Sequence, residues 1–397
     1  LAHQLSLRRR RIAMQRRASP ALDAKGALVE RLRASLPFAL TAAQQRVFAE
    51  VRDDLARPHP MLRLVQGDVG SGKTVVAAMA ALQAIECGRQ AALMAPTELL
   101  AEQHLANLKS WLEPLGIRVG WLAGKVGGRA RAQVLADAAS GDAQLLVGTH
   151  ALMQEGVEFH DLALAIVDEQ HRFGVHQRLA LRDKGGAGNR VPHQLVMTAT
   201  PIPRTLAMSA YADLDVSSID ELPPGRTPVR TVVLSGERRP ELVERIRAAC
   251  AEGRQAYWVC TLIEESDQLE AQAAEVAHAE LAAALPGLRT GLVHGRLKPT
   301  EKQATMEAFK KGEIKLLVAT TVIEVGVDVP NATVMIVQEA DRFGLAQLHQ
   351  LRGRVGRGAE QSYCLLVSRA KEELTEIAQS RLEALVASTD GFELAEV

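Results

Sequence analysis

The sequence predicts two tandem α/β domains, each with a mainly parallel β-sheet and helices on both faces. Short apolar runs of strand length alternate with longer amphipathic stretches through most of the 397 residues, a pattern typical of buried parallel sheets covered by helices. This alternation occurs in two series, separated by Pro223, Pro224, Gly225 and Pro228, residue types that interrupt helices and strands. The length and the hydrophobic content of 47% are ample for two buried cores.

The first series predicts a domain with five strands and intervening helices. The strands are expected at Leu62–Gln66, Ala91–Ala95, Gln144–Gly148, Leu164–Asp168 and Gln194–Thr198. Helices are expected at Thr74–Glu86 and Glu98–Leu112. An earlier segment, Leu1–Pro37, is predicted to form one or two helices that lead into this domain.

The second series predicts a domain of the same kind. Its strands are expected at Gln255–Thr261, Thr290–His294, Lys315–Thr320, Thr333–Gln338 and Tyr363–Ser368. Its helices are expected near Glu241–Ala251, Ser266–Ala284, Thr300–Lys311 and Gln347–Arg352. With the break near Leu222–Leu234, we assign residues 1–37 to a connecting helical segment, 38–228 to the first domain, 229–380 to the second and 381–397 to the start of a C-terminal region.

Cysteine usage indicates the cellular compartment, whereas the overall charge does not identify a binding partner. Lys plus Arg equal Asp plus Glu at 47 each, so no overall positive charge points to nucleic acid. Residues 1–33 hold nine Lys or Arg against two Asp or Glu, but a run such as Arg8–Arg11 is more often a solvated face than an arm that contacts phosphates. The four cysteines are widely spaced, which predicts neither a zinc site nor disulfides and favours a cytoplasmic protein. We find no signal peptide and no apolar stretch long enough for a bilayer, so a membrane partner is not expected.

Residues 67–74 fit the pattern GxxxxGK[ST] between a predicted strand and a predicted helix. Glycines let such a loop curl so that its amides and the helix N-terminus face a polyphosphate, which Lys73 would contact while the Thr74 hydroxyl ligates Mg²⁺. We therefore predict ATP and Mg²⁺ as cofactors, with a phosphate-binding loop formed by Gly67, Asp68, Val69, Gly70, Ser71, Gly72, Lys73 and Thr74.

A phosphate-binding loop of this kind needs an acidic partner at the end of a neighbouring strand. The apolar run at 164–167 leads directly into Asp168 and Glu169. Asp168 is predicted to hold Mg²⁺ through water, and Glu169 to orient and deprotonate the attacking water.

These blocks resemble superfamily 2 helicases of the DExH type, which implies that both domains are RecA-like P-loop domains. Residues 168–171 resemble the DExH box. Residues 38–44 resemble an adenine-reading Q motif, which implies that Phe38 packs near the base and Gln44 hydrogen-bonds its edge, although Phe38 could equally be a core residue at a helix start. Residues 198–200 resemble motif III, and by the same resemblance His171, Thr198 and Thr200 couple the nucleotide state to DNA contact.

The second domain distinguishes a motor from other P-loop proteins such as kinases and transporters. Residues 350–357 resemble helicase motif VI, and arginine suits this position because its guanidinium stays ionised and binds phosphate oxygens in a fork. The resemblance implies that Gln350, Arg354 and Arg357 assist hydrolysis of ATP bound on the first domain. It also implies nucleotide contacts for Gly326 and Asp328.

The remaining family blocks are expected to grip DNA through its backbone, because small hydroxyls and amides at strand ends suit phosphate contact without reading bases. The aromatic content of 3% argues against a base-stacking platform. The candidate DNA-binding residues are Pro96, Thr97, Thr149, His150, His294, Gly295, Thr320 and Thr321. Taken singly, Thr149, His150, His294 and Thr321 could each equally cap a strand or a helix.

Three longer blocks, at 171–175, 198–206 and 343–357, are similar to both the RecG family and the transcription-repair coupling factor. Ser71 and the stretches 223–228 and 325–331 follow the RecG form, and so does Gln170. This resemblance implies a monomeric bacterial motor, associated with the nucleoid, that acts on forks, Holliday junctions and duplex arms, with the single-strand-binding protein as a possible partner. It also implies that this chain is a fragment that lacks an N-terminal wedge domain and a C-terminal helical hairpin.

Two other interpretations remain open. One is a duplex-DNA translocase of the coupling-factor type. The other is a nucleotide-controlled interaction module, in which ATP acts as a binding switch.

Overall fold

The computed structural model describes residues 17–124, 127–169, 184, 190–199, 214–223, 227–260, 267–320, 329–356, 358 and 360–396. The chain divides into two compact units, Leu1–Pro223 (unit 1) and Pro224–Val397 (unit 2). No helix in the described part of the chain combines the length and the apolar content that crossing a bilayer requires.

Unit 1 is built on a β-sheet with seven strands among the described residues. In chain order they are β1 (Leu62–Gly67), β2 (Gln90–Met94), β3 (Val119–Leu122), β4 (Leu145–Gly148), β5 (Leu162–Asp168), β6 (His193–Thr198) and β7 (Asp215–Ile219). Their order across the sheet is β3-β4-β2-β5-β6-β1-β7, and every pair is parallel. The carboxyl ends of all seven strands therefore lie at one edge.

Helices cover both faces of this sheet. Those of unit 1 are α1 (Ala27–Ser35), α2 (Ala42–Leu55), α3 (Lys73–Glu86), α4 (Glu98–Leu112) and α5 (Gly128–Ser140). Alternate residues of β5 join different cores: Leu164 and Ile166 pack in one cluster, while Ala165 and Val167 pack in another. Because successive side chains of a strand point to opposite faces, the two clusters lie on opposite sides of the sheet.

The segment that precedes α2 packs into the core of unit 1. Leu22, Val29 and Leu32 are buried with the side chains of α2 and α3. The Ser19 hydroxyl donates to Val191 O (2.7 Å), and His193 Nε2 donates to Pro20 O (2.7 Å). These contacts attach the segment to the start of β6.

Unit 2 has a second parallel sheet, with six strands among the described residues. They are β8 (Arg230–Ser235), β9 (Gln255–Val259), β10 (Thr290–Val293), β11 (Leu316–Ala319), β12 (Ala332–Val337) and β13 (Tyr363–Ser368), in the order β10-β11-β9-β12-β13-β8. The helices are α6 (Arg239–Ala251), α7 (Asp267–Ala284), α8 (Pro299–Lys310), α9 (Leu345–Arg352), α10 (Glu376–Ala387) and α11 (Gly391–Glu396). All six residues of β12 are buried, as expected of a central strand covered on both faces.

The predicted fold class is confirmed, and each of the ten predicted strands is present to within two residues at either end. The division after Pro223 lies within the predicted range Leu222–Leu234, but Arg230–Ser235 in the same range forms β8, a strand that we do not predict, and pairs with β13. β3 and β7 were also missed. All three missed strands lie at sheet edges, where one side faces solvent or loops and the apolar signal is weak.

Candidate active site

Five strand ends of unit 1 bring separate predicted motifs side by side. Across the sheet, β4 leads to Thr149, β2 to Pro96 and Thr97, β5 ends at Asp168, β6 ends at Thr198 and β1 ends at Gly67. These five strands are consecutive neighbours in the sheet. The predicted DNA-binding residues therefore occupy one half of the edge and the phosphate-binding loop the other, with Asp168 between them.

The phosphate-binding loop has the backbone that its glycines predict. Gly70 and Gly72 adopt φ values of 82° and 89°, in the left-handed region that glycine enters without strain. Helix α3 begins directly after Gly72, which provides no side-chain cap, so its N-terminus is available to an anion. Lys73 Nζ lies at the loop, donating to Gly67 O (2.6 Å) and Asp68 O (2.9 Å).

Gln44 braces this loop from helix α2. Its Oε1 accepts from Thr41 N (2.9 Å) and its Nε2 donates to Ser71 O (2.8 Å). The side chain is buried and both ends of the amide are bonded within the protein. Phe38 is 43% exposed and its ring lies edge-on to Trp111. The predicted adenine contacts of Phe38 and Gln44 stay predictions.

Asp168 is a buried carboxylate held on both oxygens. His104 Nε2 donates to Oδ2 (2.7 Å), and Glu169 N donates to Oδ1 (3.1 Å). Burial alone would raise the pKa of Asp168, but the hydrogen bond from His104 and the electrostatic effects of His104 and Lys73 outweigh burial and lower the pKa. Asp168 is therefore ionised at neutral pH, as a metal-holding carboxylate must be.

Glu169 lies in the left-handed region, with a φ of 51°. Its Oε1 accepts from Ala199 N (3.1 Å) and its Oε2 accepts from the Thr198 hydroxyl (3.3 Å). This links the predicted catalytic carboxylate to the predicted motif III. Residues other than glycine with such backbone strain cluster at functional sites.

His104 is the residue of this site that we did not predict. It lies on α4, is buried and contacts Asp168. A lone histidine in a helix carries no sequence signal of such a contact, because the bond to Asp168 spans 64 residues.

The predicted DNA-binding residues of unit 1 follow two neighbouring strands. Thr97 caps α4, its hydroxyl accepting from Leu100 N (3.3 Å). Thr149 is buried and has no hydrogen-bond partner for its hydroxyl within the described residues, whereas His150 is exposed. A buried hydroxyl without a partner is unusual in a folded protein.

In unit 2, the ends of β10 and β11 place His294 and Thr320 together. Thr320 N donates to Val293 O (3.2 Å), and both side chains are buried. His294 Nδ1 and the Thr320 hydroxyl lack a partner among the residues described here. Burial lowers the pKa of His294 although Glu275 opposes that effect. Gly295 follows at the same edge, its carbonyl accepting from Lys302 Nζ (2.7 Å).

The motif VI segment begins in α9. Gln350 lies on this helix and Arg354 in the turn after it, both partly exposed. Arg352, between them, is buried and donates to Leu385 O (2.6 Å) and Ser388 O (2.8 Å), so it joins α9 to the end of α10. Six predicted site residues lie outside the described part of the chain: His171, Thr200, Thr321, Gly326, Asp328 and Arg357.

The residues of unit 1 fit a nucleotide with Mg²⁺. Glycines with positive φ open the loop, the N-terminus of α3 and Lys73 supply positive charge, and Asp168 and Thr74 offer two oxygens. Mg²⁺ is usually held by one or two protein oxygens together with substrate phosphates. This donor set is of that kind.

Two protein families match the chain. The DEAD/DEAH box helicase family matches residues 41–209, and the helicase conserved C-terminal domain matches residues 239–359. Dbp5 from S. cerevisiae bound to RNA and ADP BeF3 has a TM-score of 0.64 with the chain at 16% identity, covering 94% of this chain and 92% of that one; this likeness shows the fold alone.

Higher similarity is found to proteins described as ATP-dependent DNA helicase RecG. The chain is 62% identical to the one from Escherichia coli and 60% identical to the one from Haemophilus influenzae, over 100% of its own length and 57% of theirs. A structure of RecG bound to a three-way DNA junction has a TM-score of 0.86 at 41% identity, covering 100% of this chain and 51% of that one. The chain thus spans little more than half the length of these relatives. It belongs to the RecG family of DEAD/DEAH box helicases.

Proposed function

We propose that this chain is the motor of an ATP-dependent DNA helicase, in which unit 1 binds and hydrolyses ATP. The observation that carries the proposal is the order of strand ends in unit 1, where a phosphate-binding loop, the buried Asp168 and two threonines at strand ends share one edge. ATP hydrolysis next to a DNA-contacting surface is the arrangement that a translocase requires.

In the proposed mechanism, Mg-ATP supplies the transferable phosphoryl group and the charge of the metal ion. Lys73 and the amides of the loop hold the phosphates, and Thr74 and Asp168 orient the metal. Glu169 orients the attacking water and accepts its proton. Gln350, Arg354 and Arg357 keep their predicted role in phosphoryl transfer.

The motif III contact gives Glu169 a second role. Its carboxylate accepts from Ala199 N and the Thr198 hydroxyl. A change in the position of this carboxylate is therefore transmitted directly to the end of β6. We infer that these hydrogen bonds, together with His171 and Thr200, couple the nucleotide state to the DNA-contacting segments.

DNA is the proposed partner, held by its backbone at Pro96, Thr97, Thr149 and His150 of unit 1 and at His294, Gly295, Thr320 and Thr321 of unit 2. The name of the relatives and the three-way junction bound by one of them support branched DNA as the substrate. For the whole protein we propose fork regression and Holliday junction migration in recombination and repair, carried out by a monomer at the nucleoid in the cytoplasm, with the single-strand-binding protein as a partner.

The proposal is tested by measuring ATP hydrolysis with a model fork, a Holliday junction, linear duplex and single-stranded DNA. The expected result is multiple-turnover hydrolysis stimulated by DNA, and a preference for the fork in a protein of the relatives' full length. Slow turnover that responds to a protein partner and not to DNA would support the interaction module instead.

The matched control is Lys73→Ala, which removes the phosphate-binding ammonium. It should abolish DNA-stimulated hydrolysis while leaving the circular dichroism spectrum unchanged. Hydrolysis by this variant at the rate of the unaltered chain would contradict the proposed site.

A further inference from the structure

His104 occupies an unusual position, because it joins the metal-binding carboxylate to a helix that is not part of the phosphate-binding loop. Its side chain is 7% exposed, that of Asp168 is 10% exposed, and 2.7 Å separates Nε2 from Oδ2. A hydrogen bond to an ionised group is about twice as strong as a neutral one. Within the described residues, no other side chain contacts Oδ2 at hydrogen-bond distance.

The helix that carries His104 begins at the predicted DNA contact. Thr97 caps α4, and His104 lies seven residues further along, about two turns or roughly 10 Å along the helix axis. Strand β2, which leads into Thr97, pairs directly with β5, which ends at Asp168. A closed path of contacts therefore runs from Thr97 along α4 to His104, on to Asp168, and back through the paired strands β5 and β2.

The path continues beyond Asp168. Glu169 N donates to Asp168 Oδ1, and the Glu169 carboxylate accepts from the end of β6. Close-packed protein interiors transmit strain because they are hardly compressible, so a shift at the first turn of α4 displaces His104.

We propose that His104 is a positioning residue, which orients Asp168 and transmits DNA binding at the first turn of α4 to the metal-binding carboxylate. This inference rests on the proposed function for the DNA contact, but not for the contact between His104 and Asp168. His104 touches neither the nucleotide nor the DNA in this scheme, and its effect on both passes through neighbours.

The test compares three variants of the chain. His104→Leu removes the donor by replacing the imidazole with an apolar side chain of similar size. His104→Gln keeps an N–H donor at a similar reach. Leu108→Ala is the matched control, because it removes a buried side chain one turn along the same helix without touching Asp168.

Two quantities are measured: the Mg²⁺ concentration that gives half-maximal binding of a fluorescent ADP analogue, and the ratio of ATPase rates with and without a linear duplex. His104→Leu should raise the Mg²⁺ concentration for half-maximal binding by about 10- to 100-fold, the usual effect of losing a group that orients a metal ligand. The same variant should lower the ratio of ATPase rates with and without duplex DNA by about fivefold or more. His104→Gln should restore most of both values.

Leu108→Ala should lower the melting temperature but leave both quantities near those of the unaltered chain. Equal values for His104→Leu and Leu108→Ala would overturn the proposal, as would a His104→Gln variant no better than His104→Leu. An unaltered chain that DNA does not stimulate would contradict the proposed function and the transmission step, whereas its Mg²⁺ requirement would still decide whether His104 positions Asp168.

Discussion

At the scale of single residues, the phosphate-binding loop depends on a contact between Gly72 and Gln44. A Cβ atom on Gly72 would lie 2.1 Å from Gln44 Nε2, and Gly72 also has a φ of 89°. Glycine is therefore required here for two reasons, its backbone conformation and the approach of the Gln44 amide that braces the loop.

These two reasons can be separated by a double-mutant cycle. Gly72→Ala should lower the free energy of unfolding by about 1 kcal/mol from its backbone conformation alone, with a further loss from the displaced amide. Gln44→Ala removes the clash, so the double variant should be less destabilised than the two single losses together by about 0.5 kcal/mol or more. Urea denaturation measures all four proteins, and strict additivity would contradict the contact.

His193 predicts a pH dependence of stability. It is fully buried, its Nδ1 accepts from Met61 N (3.0 Å), and burial lowers its pKa to about 4. The folded protein therefore holds it neutral, so its stabilising effect is complete above the ordinary pKa of about 6.5 and is lost as the pH falls towards 4. Across that range the free energy of unfolding should decrease by about 3 kcal/mol.

The measurement is urea denaturation at several pH values between these limits. His193→Gln should flatten the profile because it removes the titrating ring. His150→Gln, at an exposed histidine, is the control and should leave the profile unchanged. A profile that is the same in all three proteins would contradict the assignment to His193.

At the scale of elements, helix α1 is capped by a side chain from another helix. Glu86, at the last position of α3, accepts from Ala27 N (3.1 Å) and Leu28 N (3.0 Å). A carboxylate on free amides at a helix N-terminus is favourable both as a hydrogen-bond acceptor and as a negative charge. The end of the phosphate-loop helix thereby anchors the segment before α2.

Glu86→Ala should lower the free energy of unfolding by about 1–2 kcal/mol, and Glu86→Gln by less because it keeps one acceptor. The control is Glu30→Ala, which breaks an exposed ion pair with Arg33 and should cost no more than about 0.5 kcal/mol. Thermal denaturation compares them. Equal effects at Glu30 and Glu86 would show that the cap contributes nothing beyond a surface charge.

The elements also show how far the sequence predicts this fold. Central strands such as β5 are predicted because burial on both faces makes them continuously apolar, whereas β7 (Asp215–Ile219) at the edge has three polar residues among its five. The phosphate-binding loop and Asp168 follow from local patterns. Contacts such as those of His104 and Glu86 could not be predicted, because they join residues 64 and 58 or more positions apart and leave no periodic signal.

At the scale of the whole molecule, the predicted boundary between residues 37 and 38 separates residues 17–37 from the first domain. We assigned residues 1–37 to a connecting segment, and Leu22, Val29 and Leu32 of that segment are each no more than 3% exposed in the core of unit 1. Burying such a side chain stabilises by about 1.5–3 kcal/mol. Three of them make the segment a substantial part of the stability of unit 1.

A chain that begins at Phe38 should therefore melt roughly 10 °C or more below one that begins at Arg17. Residues 224–397 alone, which have their own sheet and core, should melt cooperatively and serve as the reference for unit 2. Differential scanning calorimetry separates the two transitions. Equal melting temperatures for the two longer chains would mean that residues 17–37 act only as a linker.

The left-handed backbone of Glu169 has a consequence for variants that abolish activity. In helices and strands an alanine variant is usually more stable than a glycine variant. At a φ of 51° the glycine variant is the more stable one, by about 1 kcal/mol. Glu169→Gly and Glu169→Ala would both lose the base, yet the glycine variant should be the more stable of the two. Selection for a reactive carboxylate at this position thus keeps the backbone in a conformation that selection for stability alone would give to glycine.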